Sequence, residues 1–218
     1  VNQGNGEYRD RSGPMGLVAA TRWLTTWGVG FCDFDANGFL DSYTVNGHTY
    51  PQVEALNVDR HYKQGISIYR NTGESMEGIA AQAVASVTRP FAGRGSALFD
   101  YDQDGDMDIV INCIDDSPLL LENTSSTGNW LQVRLAGTSA QTLGVRVVAR
   151  NGQQTWTRMV DGGSGYLSQN SSTMHFGFGP VDRIDEITVY WMGIPPQGIL
   201  NPALNRLLTI PYPISVSR

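Results

Sequence analysis

Positive charge is scarce in this sequence. Its 15 lysine and arginine residues stand against 21 acidic residues, which gives a formal net charge of −6, and the basic residues form no patch. Binding to nucleic acid or to an anionic membrane surface depends on such a patch, so the sequence predicts neither partner. Long apolar runs are missing as well. Because a membrane-spanning helix needs about 18 or more consecutive apolar residues, the sequence predicts no membrane span.

Cysteine is equally rare, and the first residues are not those of a signal peptide. Cys32 and Cys113 either pair or remain as buried free thiols, and two cysteines alone do not decide between these states. Residues 1–4 lack the basic and the apolar regions of a signal peptide. The chain is therefore expected to be either cytoplasmic or a mature or trimmed secreted product.

Glycine and aromatic residues, in contrast, are plentiful. The 25 glycines and 10 prolines predict many turns, and 9 Tyr, 7 Phe and 5 Trp are spread along the chain. This combination is typical of β structure. Hydrophobic residues make up 40% of the 218 residues, which is enough for a buried core in one large or two small domains. We expect an all-β globular protein.

An internal repeat organises the first half of the chain. Residues 27–46 recur at 94–112, with the same order of glycines and aspartates followed by an apolar stretch. The alternation of residues in each copy predicts four short strands, as in one blade of a β-propeller. The predicted strands lie near 29–34, 40–46, 66–71 and 77–82 in the first copy, and near 96–101, 107–113, 118–123 and 130–135 in the second.

Two further segments accompany this repeat. Residues 47–64 form a long polar insertion between the second and third strands of the first copy, and long loops on a rigid β scaffold often carry recognition. Residues 4–10 resemble a turn and an outer strand, so residues 1–20 are expected to be the end of a preceding blade. Two complete blades then occupy residues 21–128.

Residues 129–218 show a different pattern. Four segments alternate apolar and polar residues as half-buried strands do, and Asn151-Gly152 is a strong hairpin signal between two of them. The tail from Pro195 is rich in proline and is expected to form a covering arm. These observations predict a separate small β-sandwich or barrel. The alternating segments are 130–135, 145–150, 154–160 and 186–191.

Each copy of the repeat contains one short acidic loop with the spacing D-x-D-x-[DN]-G-x-x-D. Side chains at positions 1, 3 and 5 converge on one point, glycine at position 6 permits a sharp turn, the carbonyl of position 7 adds a ligand, and the carboxylate at position 9 closes the shell. Ca²⁺ takes about six to eight oxygen ligands, and without a cation these carboxylates repel one another. The sequence therefore predicts two Ca²⁺ sites. Their expected ligands are Asp33, Asp35, Asn37, Phe39 and Asp41 in the first loop, and Asp100, Asp102, Asp104, Asp106 and Asp108 in the second.

Other interpretations of these loops are weaker. Asp, Asn and Gly favour turns in any case, but two such loops in register within a larger matching frame favour metal binding. An EF-hand needs glutamate at position 12 and flanking helices, whereas that position holds Thr44 and Ile111. Carboxylates saturated by Ca²⁺ have no free pair for acid–base catalysis.

The loops and the glycine-rich segments after them resemble a known family. The repeated loop segments look like the calcium-binding FG-GAP or VCBS repeats of integrin-α-like β-propellers, and the later segments resemble the ASPIC/UnbV domain. The combined order is similar to the C-terminal part of cartilage-acidic-protein-like secreted proteins. The segments that carry this resemblance are 27–48, 94–112 and 143–191, with the glycine-rich run 162–169 and His-Phe-Gly-Phe-Gly at 175–179.

The resemblance implies export, calcium-stabilised blades and a binding or adhesive role, and it does not imply a defined enzymatic activity, so we expect a non-catalytic protein. It therefore indicates a secreted or extracellular protein, with the cell surface and the periplasm as further locations, whose partner is a protein or a glycan at the cell exterior. The alternative is a structural subunit of an extracellular assembly such as a filament or a sheath. Two blades cannot close a propeller, and their open edges offer a route to self-assembly.

Two histidines outside the loops are candidates for chemistry. His48 could act as a ligand or base with Asp59 or His61, but a histidine that organises its own loop is the more common case. His175 lies in an apolar segment and is expected to be a packed, structural residue that bonds a nearby backbone group.

Two serines lie in glycine-rich surroundings, Ser164 and Ser168. A serine nucleophile needs a histidine base and an orienting acid, and no G-x-S-x-G elbow is present. The glycine run 162–165 is expected to form a tight bend between strands instead. The sequence thus predicts no catalytic residue and no cofactor other than Ca²⁺.

Overall fold

The structure is a computed structural model that describes residues 3–56, 60–79, 90–125 and 128–213. It is an all-β architecture, as predicted, in which helical segments are short. They are the helices α1 (Leu17–Thr21) and α2 (Ser139–Thr142) and a 3₁₀ turn at Pro51–Ala55. Within the described residues, no helix has the length and apolar character that a membrane crossing requires.

The first sheet is a meander of four antiparallel strands. The strands follow one another in the order β1-β2-β3-β4. The predicted strands of the first repeat are present, although the predicted end of the fourth at 80–82 lies outside the described residues. The bounds are Thr26–Cys32 for β1, Asp41–Asn46 for β2, Gly65–Asn71 for β3 and Met76–Gly78 for β4.

The second sheet has three strands, β5 (Gly93–Phe99), β6 (Asp108–Cys113) and β7 (Leu119–Leu121), in that order. The predicted strand at 130–135 is present, but its assignment to the second sheet was wrong, whereas its assignment to the later domain agrees with the structure. Those residues lie in β8 (Asn129–Ala136), which pairs with strands of the later part of the chain. The reason is burial, because Leu131, Val133 and Leu135 pack in a separate core.

The two sheets share one hydrophobic core and neither closes on itself. Their strands approach closely where glycine leaves room. A Cβ on Gly28 would lie 2.5 Å from Ser96 Oγ, and that hydroxyl lies 3.1 Å from the hydroxyl of Tyr43 across the core. The buried members of the core are Cys32, Tyr43, Val45, Ile68, Phe91, Leu98, Met107, Ile109, Ile111 and Cys113.

The two cysteines in this core are buried thiols that form no disulfide with each other. Cys32 lies at the end of β1 and Cys113 at the end of β6. Burial raises the pKa of the Cys32 thiol, so this side chain stays neutral and behaves as a small apolar group. The structure thus decides between the two states that the sequence left open.

The later residues form a sandwich of two sheets around a second core. One sheet has the order β11-β8-β14, in which β14 runs parallel to β8, and the other has the order β10-β9-β12-β13. The prediction of a sandwich or barrel is thereby resolved in favour of a sandwich. The bounds are Arg146–Asn151 for β9, Gln154–Met159 for β10, Met174–Gly179 for β11, Glu186–Tyr190 for β12, Gln197–Leu200 for β13 and Leu207–Pro211 for β14.

Two expectations for the flanks of the chain differ from the structure. Residues 4–10 form no strand, and Tyr8 makes only an isolated bridge and is exposed. The segment from Pro195 does not lie over the sandwich as an arm. It supplies β13 and β14, one strand to each sheet, because Ile210 is buried in the sandwich core.

Candidate metal centres

The first acidic loop connects β1 to β2 and brings three carboxylates together. One oxygen from each of Asp33, Asp35 and Asp41 lies within 4.8 Å of the others. Asp33 is 1% exposed and Asp41 is 2% exposed. Three acidic groups are therefore held close to one another with little access to water.

Backbone amides hold this loop in place. The carboxylate of Asp33 accepts hydrogen bonds from Asn37 N at 2.9 Å and from Gly38 N at 2.8 Å. Asp41 accepts from Phe34 N at 2.8 Å and from Asn71 N at 2.7 Å. Gly38 has φ +97°, which a residue with a side chain rarely adopts. The glycine at position 6 is thus required for the turn, as the sequence predicts.

The second loop connects β5 to β6 and repeats this arrangement. Oxygens of Asp100, Asp102 and Asp108 lie within 4.8 Å of one another. Asp100 accepts from Gln103 N at 2.6 Å and from Gly105 N at 3.1 Å. Asp108 is 1% exposed and accepts from Tyr101 N at 2.9 Å and Asn123 N at 2.8 Å. The two copies of the sequence repeat therefore form loops that group the aspartates of the same three positions.

The remaining predicted ligands lie around these two groups. The side-chain oxygen of Asn37 accepts from Phe39 N at 2.8 Å, and the side chain of Phe39 is half exposed. In the second loop, Asp104 Oδ1 accepts from Asp106 N at 3.0 Å. One carboxylate oxygen of Asp106 is buried without a hydrogen-bond partner among the described residues. Asp33, Asp35, Asp41, Asp100, Asp102 and Asp108 are thus the carboxylates that the structure brings together.

Burial and mutual repulsion change the pKa of these acids. Burial is the main cause that raises the pKa of Asp33 to about 7 and that of Asp41 to about 6, and neighbouring carboxylates add to both. In the second loop, burial and the adjacent Asp104 raise the pKa of Asp106 to about 8, and burial also raises the pKa of Asp108. Ionised carboxylates in these loops therefore need a compensating positive charge.

The two loops differ in the positive charge that already lies beside them. Arg70 Nε lies 2.6 Å from Asp35 Oδ2 in the first loop. At the second loop, the neutral amide of Gln132 donates to Asp100 Oδ2 at 2.6 Å. An all-oxygen group of buried carboxylates fits a hard divalent cation. The fit is better at the second loop, where no basic side chain among the described residues forms an ion pair with an aspartate.

A short chain of hydrogen bonds joins the two loops. Phe34 N donates to Asp41, and Phe34 O accepts from Asn123 Nδ2 at 2.8 Å. Asn123 N in turn donates to Asp108 at 2.8 Å. Asp41 and Asp108 are therefore connected through Phe34, at position 2 of the first loop, and Asn123, which lies outside both loops.

The raised pKa values predict how the metal-free protein responds to pH. In chelator, we expect the free energy of unfolding to fall between about pH 6.5 and about pH 8.5. The folded pKa of Asp33 lies above the usual 3.8, so its contribution is full at acidic pH and is lost as the pH rises through about 7. Asp106 acts in the same direction near pH 8.

Urea unfolding in chelator at about pH 6.5 and at about pH 8.5 measures this decrease in the free energy of unfolding. Burial lowers the pKa of His175 from 6.5 to about 4. Above about pH 6.5 this histidine is neutral in the folded and in the unfolded chain, so it does not add to the change of the unfolding free energy with pH. With saturating Ca²⁺ the decrease should disappear, because the cation takes the place of the protons. Unfolding free energies in chelator that rise or stay level across this range would contradict the prediction.

The other sequence candidates have structural contacts. His48 Nδ1 accepts from Tyr50 N at 3.2 Å, which organises its own loop. His61 contacts Glu54 at 3.3 Å, and Asp59 lies outside the described residues. His175 is buried, as expected for a packed histidine, and its Nδ1 has no hydrogen-bond partner among the described residues.

The two serines make contacts within their own loop. The hydroxyl of Ser164 donates to Asp161, and that of Ser168 donates to Tyr166 O at 2.8 Å. Their segment also approaches the first sheet, because Tyr166 packs edge-on against Trp27 with ring centres 4.8 Å apart. The glycine-rich run therefore takes part in contacts between the sandwich and the first sheet.

A surface cleft of about 650 Å³ was not predicted from the sequence. Trp23 and Tyr50 line it and are 53% and 66% exposed, and His48 and Leu56 complete its wall. The guanidinium of Arg60, which also lines the cleft, lies 5.3 Å from the centre of the Trp23 ring. The long insertion 47–64 was the available signal, but Trp23 is too distant in sequence to be joined to it.

Comparison with known proteins gives one family and one group of relatives. Residues 136–216 match the family described as ASPIC and UnbV. A region of 129 residues is 29% identical to "Cartilage acidic protein 1" of Mus musculus and 30% identical to the protein of that name from Xenopus tropicalis. These alignments cover 56% of this chain and 20% of each relative, so the chain spans about a fifth of their length.

The family match falls on the sandwich. Its first residue, Ala136, is the last residue of β8, and its range includes all strands from β9 to β14. The resemblance of the two acidic loops to FG-GAP or VCBS repeats stays a prediction. Residues 136–216 of the sandwich therefore resemble the ASPIC and UnbV family, within a chain that is distantly similar to cartilage acidic protein 1.

Proposed function

We propose that this chain is a calcium-binding, non-catalytic part of an extracellular protein, and that it works by binding a protein or a glycan. The observation that carries the proposal is the pair of matching carboxylate groups, one in each copy of the repeat. Two carboxylate groups with the same geometry, at the same place in two successive sheets, support a common role for both loops, which is the binding of a cation.

Ca²⁺ is the cation that suits this chemistry best. Asp33, Asp35 and Asp41 would hold one ion and Asp100, Asp102 and Asp108 the other. When bound, Ca²⁺ supplies positive charge that offsets the repulsion between buried carboxylates and fixes the loop. The non-catalytic part of the proposal is supported by hydrogen bonds from backbone amides, which already hold the carboxylates of Asp33, Asp41, Asp100 and Asp108 in place.

An extracellular binding role is supported by the relatives and by the surface. The similar proteins carry the name cartilage acidic protein 1. The cleft beside Trp23 and Tyr50 exposes aromatic rings next to polar side chains, an arrangement suited to recognition. The outer edge strands β4 and β7 have three residues each. Because short edges offer few hydrogen bonds to another copy, they favour binding over assembly into a filament.

The number of bound ions tests the proposal directly. We expect isothermal titration of the metal-free chain with CaCl₂ to give two sites. Asp35→Ala and Asp102→Ala remove position 3 of the first and second loop, and each should reduce the number of sites to one. Asp182→Asn is the matched control, because it removes an exposed acid outside the loops.

Two outcomes of the titration would contradict the proposal. If no calcium uptake is measured, or if both loop variants retain two sites, the calcium proposal is wrong. An intact fold in each variant is checked by circular dichroism, so that lost binding is not confused with unfolding.

A further inference from the structure

Strand β11 of the sandwich lies against the first acidic loop without space for a side chain. A Cβ added to Gly177 would lie 2.0 Å from Asp33 Oδ2 and 2.6 Å from Ala36 Cα. Two residues later, Gly179 N donates to Ala36 O at 2.7 Å. The glycines of this strand therefore permit its backbone to touch a carboxylate of the first site.

Strand β8 contacts the second acidic loop in a similar way. Gln132, which is buried, donates from Nε2 to Asp100 Oδ2 at 2.6 Å. A Cβ on Gly105 would lie 1.9 Å from the Trp130 ring. The loop glycine that permits the turn is thus also the point at which the sandwich makes contact.

These contacts come from one pair of neighbouring strands. In the antiparallel register of β8 and β11, Gln132 pairs with His175 and Trp130 pairs with Gly177. The ring of His175 stacks on that of Trp130, which contacts Gly105 of the second loop. A single two-stranded ribbon therefore touches both loops at once.

The hydrophobic cores do not continue through this junction. The core of the blades and the core of the sandwich are separate clusters. At the two loops, the contacts between the halves are hydrogen bonds and close backbone approaches, which depend on the position of each loop to within a few tenths of an ångström. A loop that changes shape would lose them.

We propose that the β8–β11 ribbon completes both acidic loops, so that cation binding and docking of the sandwich on the blade sheets are coupled. The proposal rests on the proposed calcium function. By linkage, a cation that fixes the loops favours the docked sandwich, and the docked sandwich raises the affinity for the cation by the same factor.

Hydrogen exchange of the full chain, followed by mass spectrometry, tests the coupling. Removing calcium with a chelator should increase exchange in the loops 33–41 and 100–108 and in β8 and β11 together. Strands β9 and β12, in the far sheet of the same sandwich, should keep their protection. This pattern would separate undocking from general unfolding.

Two variants of the ribbon test the reciprocal effect. Gly177→Ala places a methyl group against Asp33, and Gln132→Ala removes the amide that holds Asp100. Each is expected to weaken calcium binding at its own loop by about tenfold, within the usual range of coupling between sites. Gly163→Ala is the control, since a Cβ there meets only Ser168 O at 3.9 Å.

The outcomes separate this proposal from the calcium proposal. If the wild-type chain binds calcium but β8 and β11 exchange equally with calcium and with chelator, and both variants keep wild-type affinity, the coupling is wrong and the calcium sites stand. If the wild-type chain binds no calcium, both proposals fail. If Gly177→Ala does not fold, hydrogen exchange of the wild-type chain and the calcium affinity of Gln132→Ala still test the coupling.

Discussion

Saturating calcium is expected to raise the midpoint of thermal unfolding by roughly 10 °C relative to chelator. The reason is that the folded metal-free state holds six aspartates in two groups whose oxygens lie within 4.8 Å of one another. The unfolded chain separates these charges, so a bound cation stabilises only the folded state. At a concentration about a thousand times the dissociation constant, one site contributes about 4 kcal/mol.

Differential scanning calorimetry with Ca²⁺, with Mg²⁺ and with chelator measures this shift. The double variant Asp35→Ala/Asp102→Ala should lose most of the response to calcium, while Asp182→Asn should retain it. Equal midpoints of thermal unfolding with calcium and with chelator would show that a cation does not stabilise the two aspartate groups. Such a result would overturn the calcium proposal.

Replacing Gly105 by alanine is expected to lower the free energy of unfolding by about 3 kcal/mol or more. Two penalties act together. Gly105 has φ +104°, a conformation that residues with a Cβ rarely adopt. The added Cβ would also lie 1.9 Å from the ring of Trp130. The amide of Gly105 also holds Asp100 at 3.1 Å, so the variant should bind calcium more weakly at the second loop.

A second glycine separates these two penalties. Gly193 has φ +71° and nothing within 4 Å of its Cβ position, so Gly193→Ala carries only the backbone cost, about 1 kcal/mol. Urea unfolding of both variants in calcium gives the comparison. If Gly105→Ala costs no more than Gly193→Ala, the contact between the loop and Trp130 does not contribute to stability.

The tight turn of the first acidic loop could be predicted because the contacts that form it are local. The turn at Gly38 needs a positive φ, and the carboxylate of Asp33 reaches only amides within five residues. Such contacts are encoded by spacing alone. The same holds for the strands on either side, whose alternation of burial follows from the period of a strand.

The placement of β8 could be predicted only in part. Alternation shows that one face of Trp130–Leu135 is buried, but alone it fits both assignments predicted for this segment, the second blade and the later β domain. The choice is made by contacts across long distances in sequence, such as the pairing of β8 with β11 and β14. The cleft was missed for the same reason, since Trp23 and Arg60 meet only in the folded chain.

The parallel strand β14 has a consequence for the order in which this chain folds during synthesis. Each of the first two sheets is built from neighbouring strands, so its hairpins can form soon after they leave the ribosome. Strand β8 instead awaits a partner that follows much later, as shown by the bond from Trp130 N to Asn205, which spans 75 residues. Until that partner has been made, the edge of β8 that will pair with β14 is open. This edge is the part of the nascent chain where mispairing with another molecule is most easily started.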